Sequence, residues 1–225
     1  MDVRGLRYRY PDGTEALRGV DFQLEAGETV ILLGGNGSGK TTFTLHLNGL
    51  LRGEGEITIC GQRLSPGTVG AIRRKVGLVF QDADEQLFMP TVLEDAAYGL
   101  RNLGYTEAEA RKLAAAALER TGIAHCADRA PYHLSGGEKR RAAIAGILAM
   151  EPEILVLDEP TTSLDPPGRR ELIDLLTGLA QAKVIITHDD RLARALGTRA
   201  VFFNKGRISA TGGVDELLDR FNWRE

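Results

Sequence analysis

Apolar and polar residues alternate through the first third of the chain. Val3, Leu6, Tyr8 and Tyr10 lead into a Pro11-Asp12-Gly13 turn, and Leu17–Leu24 carries its own alternation, so two strands joined by a turn are predicted. Thr29–Leu33 is continuously apolar and runs into glycines, the pattern of a strand buried on both faces. Glu56–Cys60 and Lys75–Phe80 predict two further strands, separated by a spacer holding Gly61, Pro66, Gly67 and Gly70. The period then lengthens. Thr106-Glu107-Ala108-Glu109 has the form of a capping box, the alanine- and leucine-rich stretch after it reads as a helix to about Arg120, and Gly122 is its stop.

Ile154–Leu157 and Val184–Ile186 return to short apolar runs suited to central parallel strands. Asp165-Pro166-Pro167 predicts a cap and first turn for a helix reaching about Ala180. After Val201 a strand pair is expected around Gly206, with a short helix over Val214–Arg220. The fold class is therefore α/β: a mixed sheet flanked by helices, with an N-terminal antiparallel part and an inserted helical part. One domain accounts for residues 1–225, with the sheet parts at 1–84 and 151–225 and the helical part at about 85–150.

Composition narrows the function. A hydrophobic share of 43% and a charged share of 26% are those of a soluble globular chain. The formal net charge of −3 gives no whole-chain reason to bind nucleic acid or anionic lipid. The basic run Lys139-Arg140-Arg141 reads as a solvated or interface face of a helix, not as a nucleic-acid patch. Cys60 and Cys126 support neither a disulfide framework nor a zinc site, and a reducing cytosol is expected. Met1-Asp2-Val3-Arg4 lacks the pattern of a signal peptide. The longest apolar stretch, Ala142–Met150, is about half of the roughly 18–20 residues that span a bilayer, so a membrane role must come through a partner.

Three motifs carry chemistry. Gly34-Gly35-Asn36-Gly37-Ser38-Gly39-Lys40-Thr41, continued by Thr42, follows a predicted strand and opens a helical run. Glycines let such a loop turn its amides onto phosphate oxygens, a lysine reaches the outer phosphates, and a threonine hydroxyl suits Mg²⁺. Asp158 and Glu159 end an apolar strand, at the edge where α/β sheets bind ligands. Asp158 would hold magnesium, and Glu159 would orient or deprotonate an attacking water. Leu134-Ser135-Gly136-Gly137-Glu138 starts another helix, with Ser135 as cap and bare glycine amides in its first turn. A chain needs one such anion site for its own nucleotide, so the second is expected to serve a nucleotide held by another copy.

These motifs, in this order, resemble the nucleotide-binding domain of ATP-binding-cassette (ABC) transporters over nearly the whole chain. The resemblance implies a P-loop NTPase core, ATP and Mg²⁺ as ligands, and further roles. Gln81 would sense magnesium and γ-phosphate, Asp165 would lie in the loop that crosses the dimer, and His188 would contact the γ-phosphate. Tyr10 is similar to the aromatic that stacks on adenine, with Tyr8 as the alternative.

The segment Phe80–Val92, the run Tyr8–Thr14 and Glu138–Arg141 are similar to the ATPases of energy-coupling-factor importers of the cobalt-transport type. Asp82-Ala83 stands where Asn-Pro is common in that family, and Gly35 where proline is common. In that family the segment after the glutamine forms a short helix that meets the membrane scaffold. The resemblance implies a motor that closes head to tail with a second copy or a paralogous ATPase. Its partners would be integral membrane scaffold and substrate-binding subunits, at the cytoplasmic face of the membrane, with no nucleic acid. Cobalt is the first expectation for the cargo, with nickel, biotin and other vitamins open.

A DNA-repair or chromosome-organising ATPase would separate Lys40 from Ser135 by long coiled coils, which are absent. A translation-associated ATPase would carry two cassettes and a charged linker. The chain ends at Glu225, shortly after the last predicted helix. Many relatives run further, so a truncated chain or a short family member is expected.

Overall fold

The computed structural model describes residues 1–223. The chain opens with β1 (Asp2–Arg9) and β2 (Glu15–Gln23), then enters the core through β3 (Thr29–Leu33) and α1 (Lys40–Leu47). Next come β4 (Glu54–Ile59), β5 (Gln62–Arg63), α2 (Val69–Lys75) and β6 (Val76–Val79). Three helices follow: α3 (Val92–Asn102), α4 (Glu107–Arg120) and α5 (Gly136–Leu148). The chain then runs through β7 (Ile154–Asp158), α6 (Pro166–Thr177), β8 (Ala182–Ile186), α7 (Asp190–Leu196), β9 (Arg199–Asn204), β10 (Arg207–Gly212) and α8 (Val214–Arg220).

The strands form an antiparallel sheet of order β2-β1-β4-β5 and a larger sheet of order β10-β9-β3-β8-β7-β6. In the larger sheet only the β10–β9 pair is antiparallel. The α/β class with an N-terminal antiparallel part is as the hydrophobic pattern predicts. The continuous apolar runs have a direct cause, because successive side chains of a strand point to opposite faces. Val30 and Leu32 pack with Phe22 and Phe43 toward the antiparallel sheet and α1. Ile31 and Leu33 pack with Leu172, Leu192 and Leu217 of α6, α7 and α8 on the other face.

Helices α3, α4 and α5 enclose a core of their own, with Val92, Ala96, Leu100, Ala114, Leu118 and Ala145 at its centre. Helix α5 belongs to two cores at once, since Ala143, Ile144 and Leu148 face the main sheet. Gly77 of β6 makes that approach possible, because a Cβ there would sit 2.1 Å from Cγ2 of Ile147.

Several elements differ from expectation, among them β5 and α2, both within the predicted spacer. The spacer before β6 contains α2, whose single buried residue, Ile72, leaves no apolar period to read. Helix α6 stops at Thr177, where Gly178 takes the cap position and Leu179 turns back into the core. The α7 helix, seven residues long, was not anticipated; the Asp189 side chain caps it by accepting from the Leu192 amide. Among the described residues no helix is long and apolar enough to cross a membrane.

The fit of α5 on β6 is testable. Gly77→Ala should lower stability by about 1–3 kcal/mol through overpacking, read by urea denaturation. Adding Ile147→Ala should restore part of the loss, because it removes the methyl that the new Cβ meets.

Candidate active site

The loop leaving β3 is built by close approach. A Cβ on Gly34 would lie 2.3 Å from the Phe203 carbonyl oxygen, and one on Gly39 would lie 2.7 Å from that of Ala16. Both glycines also have φ in the left-handed region, 139° and 105°. Gly35 has neither constraint, so a residue other than glycine fits there as readily. Asn36 and Gly37 lie exposed at the loop's crest, and Ser38 is buried, its carbonyl accepting from the Gly206 amide at 2.9 Å. Lys40 is buried, and its Nζ donates to the carbonyls of Gly34 and, at 3.1 Å, Gly35. Burial pulls its pKa down, while Glu159 and Asp158 favour the charged form.

Thr41 is exposed to the cleft, and its hydroxyl bonds to the Asp158 carboxylate. Thr42 turns the other way. It is buried, and its Oγ1 lies 2.9 Å from the Tyr10 hydroxyl. A turn closed by the Tyr10–Thr14 backbone bond at 2.9 Å presents Tyr10 beside the loop. Tyr8 instead packs edge-on against His46, with centroids 4.8 Å apart, on the first core. Both rings are half-buried and they meet edge-on with centroids 4.9 Å apart, Tyr10 on the side of the loop and Tyr8 on the side of His46.

Asp158 ends β7, and Glu159 follows it with φ of 46°, a left-handed conformation that side chains rarely adopt. The strain turns the chain, so that the Glu159 amide donates to the Ile186 carbonyl and its Oε2 accepts from the His188 amide at 3.2 Å. Nε2 of His188 lies 3.4 Å from Oε1 of the same carboxylate. Both carboxylates are buried, and burial pushes both pKa values up. Hydrogen bonding from Thr41 and the charges of Lys40 and Arg140 oppose the rise at Asp158; the His188 amide and Lys40 oppose it at Glu159. A cleft of about 360 Å³ joins Lys40, Thr41, Gln81, Asp158, Glu159 and His188.

A neighbouring cleft of about 590 Å³ runs from Thr41 and Gln81 to Gly136 at the start of α5. Ser135 caps that helix reciprocally with Glu138: the Ser135 amide donates to Oε2 of Glu138 at 2.7 Å, and Ser135 Oγ accepts from the Glu138 amide at 3.3 Å. These bonds from Ser135 hold the Glu138 carboxyl down at about 2. Ser135 and Gly136 are exposed and Gly137 half-buried, with the Ser163 carbonyl oxygen 3.9 Å from the Cβ position of Gly136. Asp165 is exposed and caps α6 by accepting from the Gly168 amide at 2.9 Å.

The basic run on α5, expected as a solvated or interface face, instead faces other elements of the same chain. Arg140 is buried and donates to the carbonyls of Phe80 and Gln81. Lys139 reaches Asp84 at 2.6 Å, and Arg141 pairs with Glu171. Sequence reading missed Arg140 because its partners are backbone oxygens some sixty residues away, which leave no side-chain pattern. Its only signal is its place in the middle of the Lys139-Arg140-Arg141 run, just before the apolar half of the helix. Asp82, where the related pattern has asparagine, accepts from the Asp84 amide at 2.9 Å and caps a short 3-10 turn, Ala83–Glu85. Cys126 also has neighbours the sequence did not suggest. Its Sγ lies 3.3 Å from Oε1 of Glu138, with His125 and Arg129 around the same oxygen.

The raised pKa of Glu159 makes stability depend on pH. Its protonated form favours the fold below the unfolded value of about 4.3, and that contribution is lost as pH rises through the higher folded value. Glu159→Gln should therefore raise the Tm of the nucleotide-free protein at pH 8, by about 2–4 °C for each kcal/mol gained. The gain should shrink as the pH is lowered toward 5, measured by calorimetry.

The ABC transporter family profile matches residues 17–162. A putative ABC transporter ATP-binding protein of Streptomyces avermitilis is 52% identical, over 97% of this chain and 84% of its own length. The energy-coupling factor transporter ATP-binding protein EcfA of Methanothermobacter thermautotrophicus is 48% identical, over 97% of this chain and 72% of its own. The structure of cbiO1 from Clostridium perfringens, part of the ABC transporter complex cbiONQ, matches with a TM-score of 0.86 at 38% identity, covering 98% of this chain and 90% of that one. The dimeric cassette MJ0796 in a post-hydrolysis state with ADP and Pi matches with a TM-score of 0.85 at 30% identity, covering 95% and 98%. A phosphate loop after β3, paired carboxylates at the end of β7 and a capped glycine start on α5 stand in one cassette fold with these relatives. The chain belongs to the ABC transporter family, as an ABC ATPase resembling the energy-coupling-factor and cbiO members.

Proposed function

We propose that the protein is the motor subunit of an energy-coupling-factor importer, closing head to tail with a second ATPase on two MgATP. One observation carries the pairing. The start of α5 presents Ser135 and the first-turn Gly136 exposed, while the chain's own phosphate loop lies at the start of α1. Two anion-ready helix starts in one chain fit two half-sites better than one whole site. The likeness to the dimeric MJ0796 cassette supports the same reading.

In this reading ATP enters against Gly34–Thr41, and Lys40 exchanges its bonds to the Gly34 and Gly35 carbonyls for phosphate oxygens. Tyr10 would stack on adenine from beside the loop. Asp158 and Thr41, already bonded to each other, and Gln81 in the same cleft offer the oxygen donors that Mg²⁺ takes. The ion would neutralise charge on the β- and γ-phosphates. Glu159, buried and with a raised pKa, is a base poised to orient and deprotonate water, and His188 sits beside it to meet the γ-phosphate. Ser135, Gly136, Gly137 and Asp165 would act on the nucleotide of the partner.

Docking on the membrane scaffold is assigned to the segment after Gln81. Phe88 and Tyr98 are exposed and packed edge-on with centroids 4.9 Å apart, forming an apolar face beside that segment. For the cargo we favour a transition-metal cation, cobalt first, on family resemblance and the likeness to cbiO1. A vitamin importer such as a biotin system would use the same motor.

Glu159→Gln should cut turnover by about 10²–10⁴-fold while ATP binding persists and a dimer accumulates, read by ATPase assay and light scattering. A monomer at saturating ATP would count against the shared site. Ser135→Arg should leave ATP binding to the monomer unchanged and reduce hydrolysis by at least about tenfold, because the guanidinium fills the outward-facing helix start.

A further inference from the structure

Trp223 is the only tryptophan in the chain, and it lies past α8, far in sequence from the catalytic strands. The fold nevertheless lays its indole against the ring of His188, with centroids 4.9 Å apart and planes inclined by 22°. Asn222 adopts a left-handed φ of 49°, which reverses the chain, and the Trp223 amide donates to the Leu218 carbonyl at 2.8 Å. Phe202 of β9 meets the indole edge-on at 5.8 Å and stacks on Phe221 at 3.6 Å, so the segment is anchored to the second core.

An imidazole has two side-chain torsions, and the contact of His188 Nε2 with Oε1 of Glu159 at 3.4 Å is made at the ring's edge. A flat aromatic stacked on one face removes much of that freedom. The Nε1 of Trp223 is buried and has no hydrogen-bond partner among the described residues. Burying an unused donor costs free energy, so the position employs the indole for its face and not for its N–H.

We propose that Trp223 is a positioning residue for ATP hydrolysis, its indole face holding the His188 imidazole at the rim of the cleft with Nε2 toward Glu159. The inference rests on the reading that His188 meets the γ-phosphate. It adds that the segment beyond α8 takes part in setting the catalytic geometry, and that the tryptophan senses the state of the site.

The test combines steady-state kinetics with tryptophan emission in the full chain. Trp223→Leu keeps apolar volume but no flat ring, and should lower kcat by about tenfold with the KM for ATP changed by less than about twofold. Trp223→Phe restores a flat face without the N–H and should recover most of the rate. In the unmodified protein MgATP should change the Trp223 emission, and His188→Ala should abolish that response. Wild-type kcat in Trp223→Leu overturns the proposal, as does a loss of rate that Trp223→Phe does not restore. An emission unaffected by MgATP overturns it without relying on any variant. If His188→Ala itself turns over ATP at the wild-type rate, the assignment of His188 is what has failed.

Discussion

The site depends on a buried carboxylate placed among buried cations. Asp158 could not stay ionised in the interior by itself, since burial alone drives a carboxyl toward its neutral form. Lys40 from α1 and Arg140 from α5 offset that cost, and the Thr41 hydroxyl adds a bond to the charged form. These groups come from three elements, Lys40 and Thr41 from α1, Arg140 from α5 and Asp158 from β7, so electrostatic balance at one point ties the phosphate loop, β7 and the capped helix together. Lys40 and Arg140 are subject to the same penalty: burial lowers both their pKa values, and Asp158 helps keep both charged.

Arg140 has a second role in this arrangement. Its bonds to the carbonyls of Phe80 and Gln81 fix the segment that leaves β6 to the helix that begins at Ser135. Close approach of α5 to β6 is allowed by the absent side chain at Gly77. Helix α5 therefore carries contacts to both cores, and any movement of the α3–α5 group reaches Gln81 through a short, bonded route. That route also leads from the cleft at Lys40 and Glu159 toward the exposed rings of Phe88 and Tyr98. The 3-10 turn capped by Asp82 lies along it, tied to α5 by Lys139 and Asp84.

Polarity at the sheet edge follows from strand order. β3, β8 and β7 are neighbours and parallel, so Gly34, His188 and Glu159 emerge side by side. Left-handed φ at Glu159, in a residue with a side chain, is stored strain at this edge, held by the Ile186 carbonyl and the His188 amide. The same geometry buries the Glu159 carboxyl beside His188, and that burial raises its proton affinity.

By itself the sequence determined the buried core strands, though not the two-residue β5. Runs such as Thr29–Leu33 and Ile154–Leu157 could be recognised because a strand buried on both faces has no polar position to spare. Local motifs were legible for a related reason: a phosphate loop, a capping box and a strand-end carboxylate pair are made by residues adjacent in the chain. Short helices such as α2 and α7 were not, since one or two buried residues make no period. Tertiary structure alone decided what long-range contact decides. It buried Arg140, set Tyr8 between His46 and the Tyr10 ring, turned the Thr42 hydroxyl toward Tyr10, and laid Trp223 on His188. Those placements depend on backbone carbonyls and ring faces brought together across the chain, and neither leaves a mark in the order of side chains.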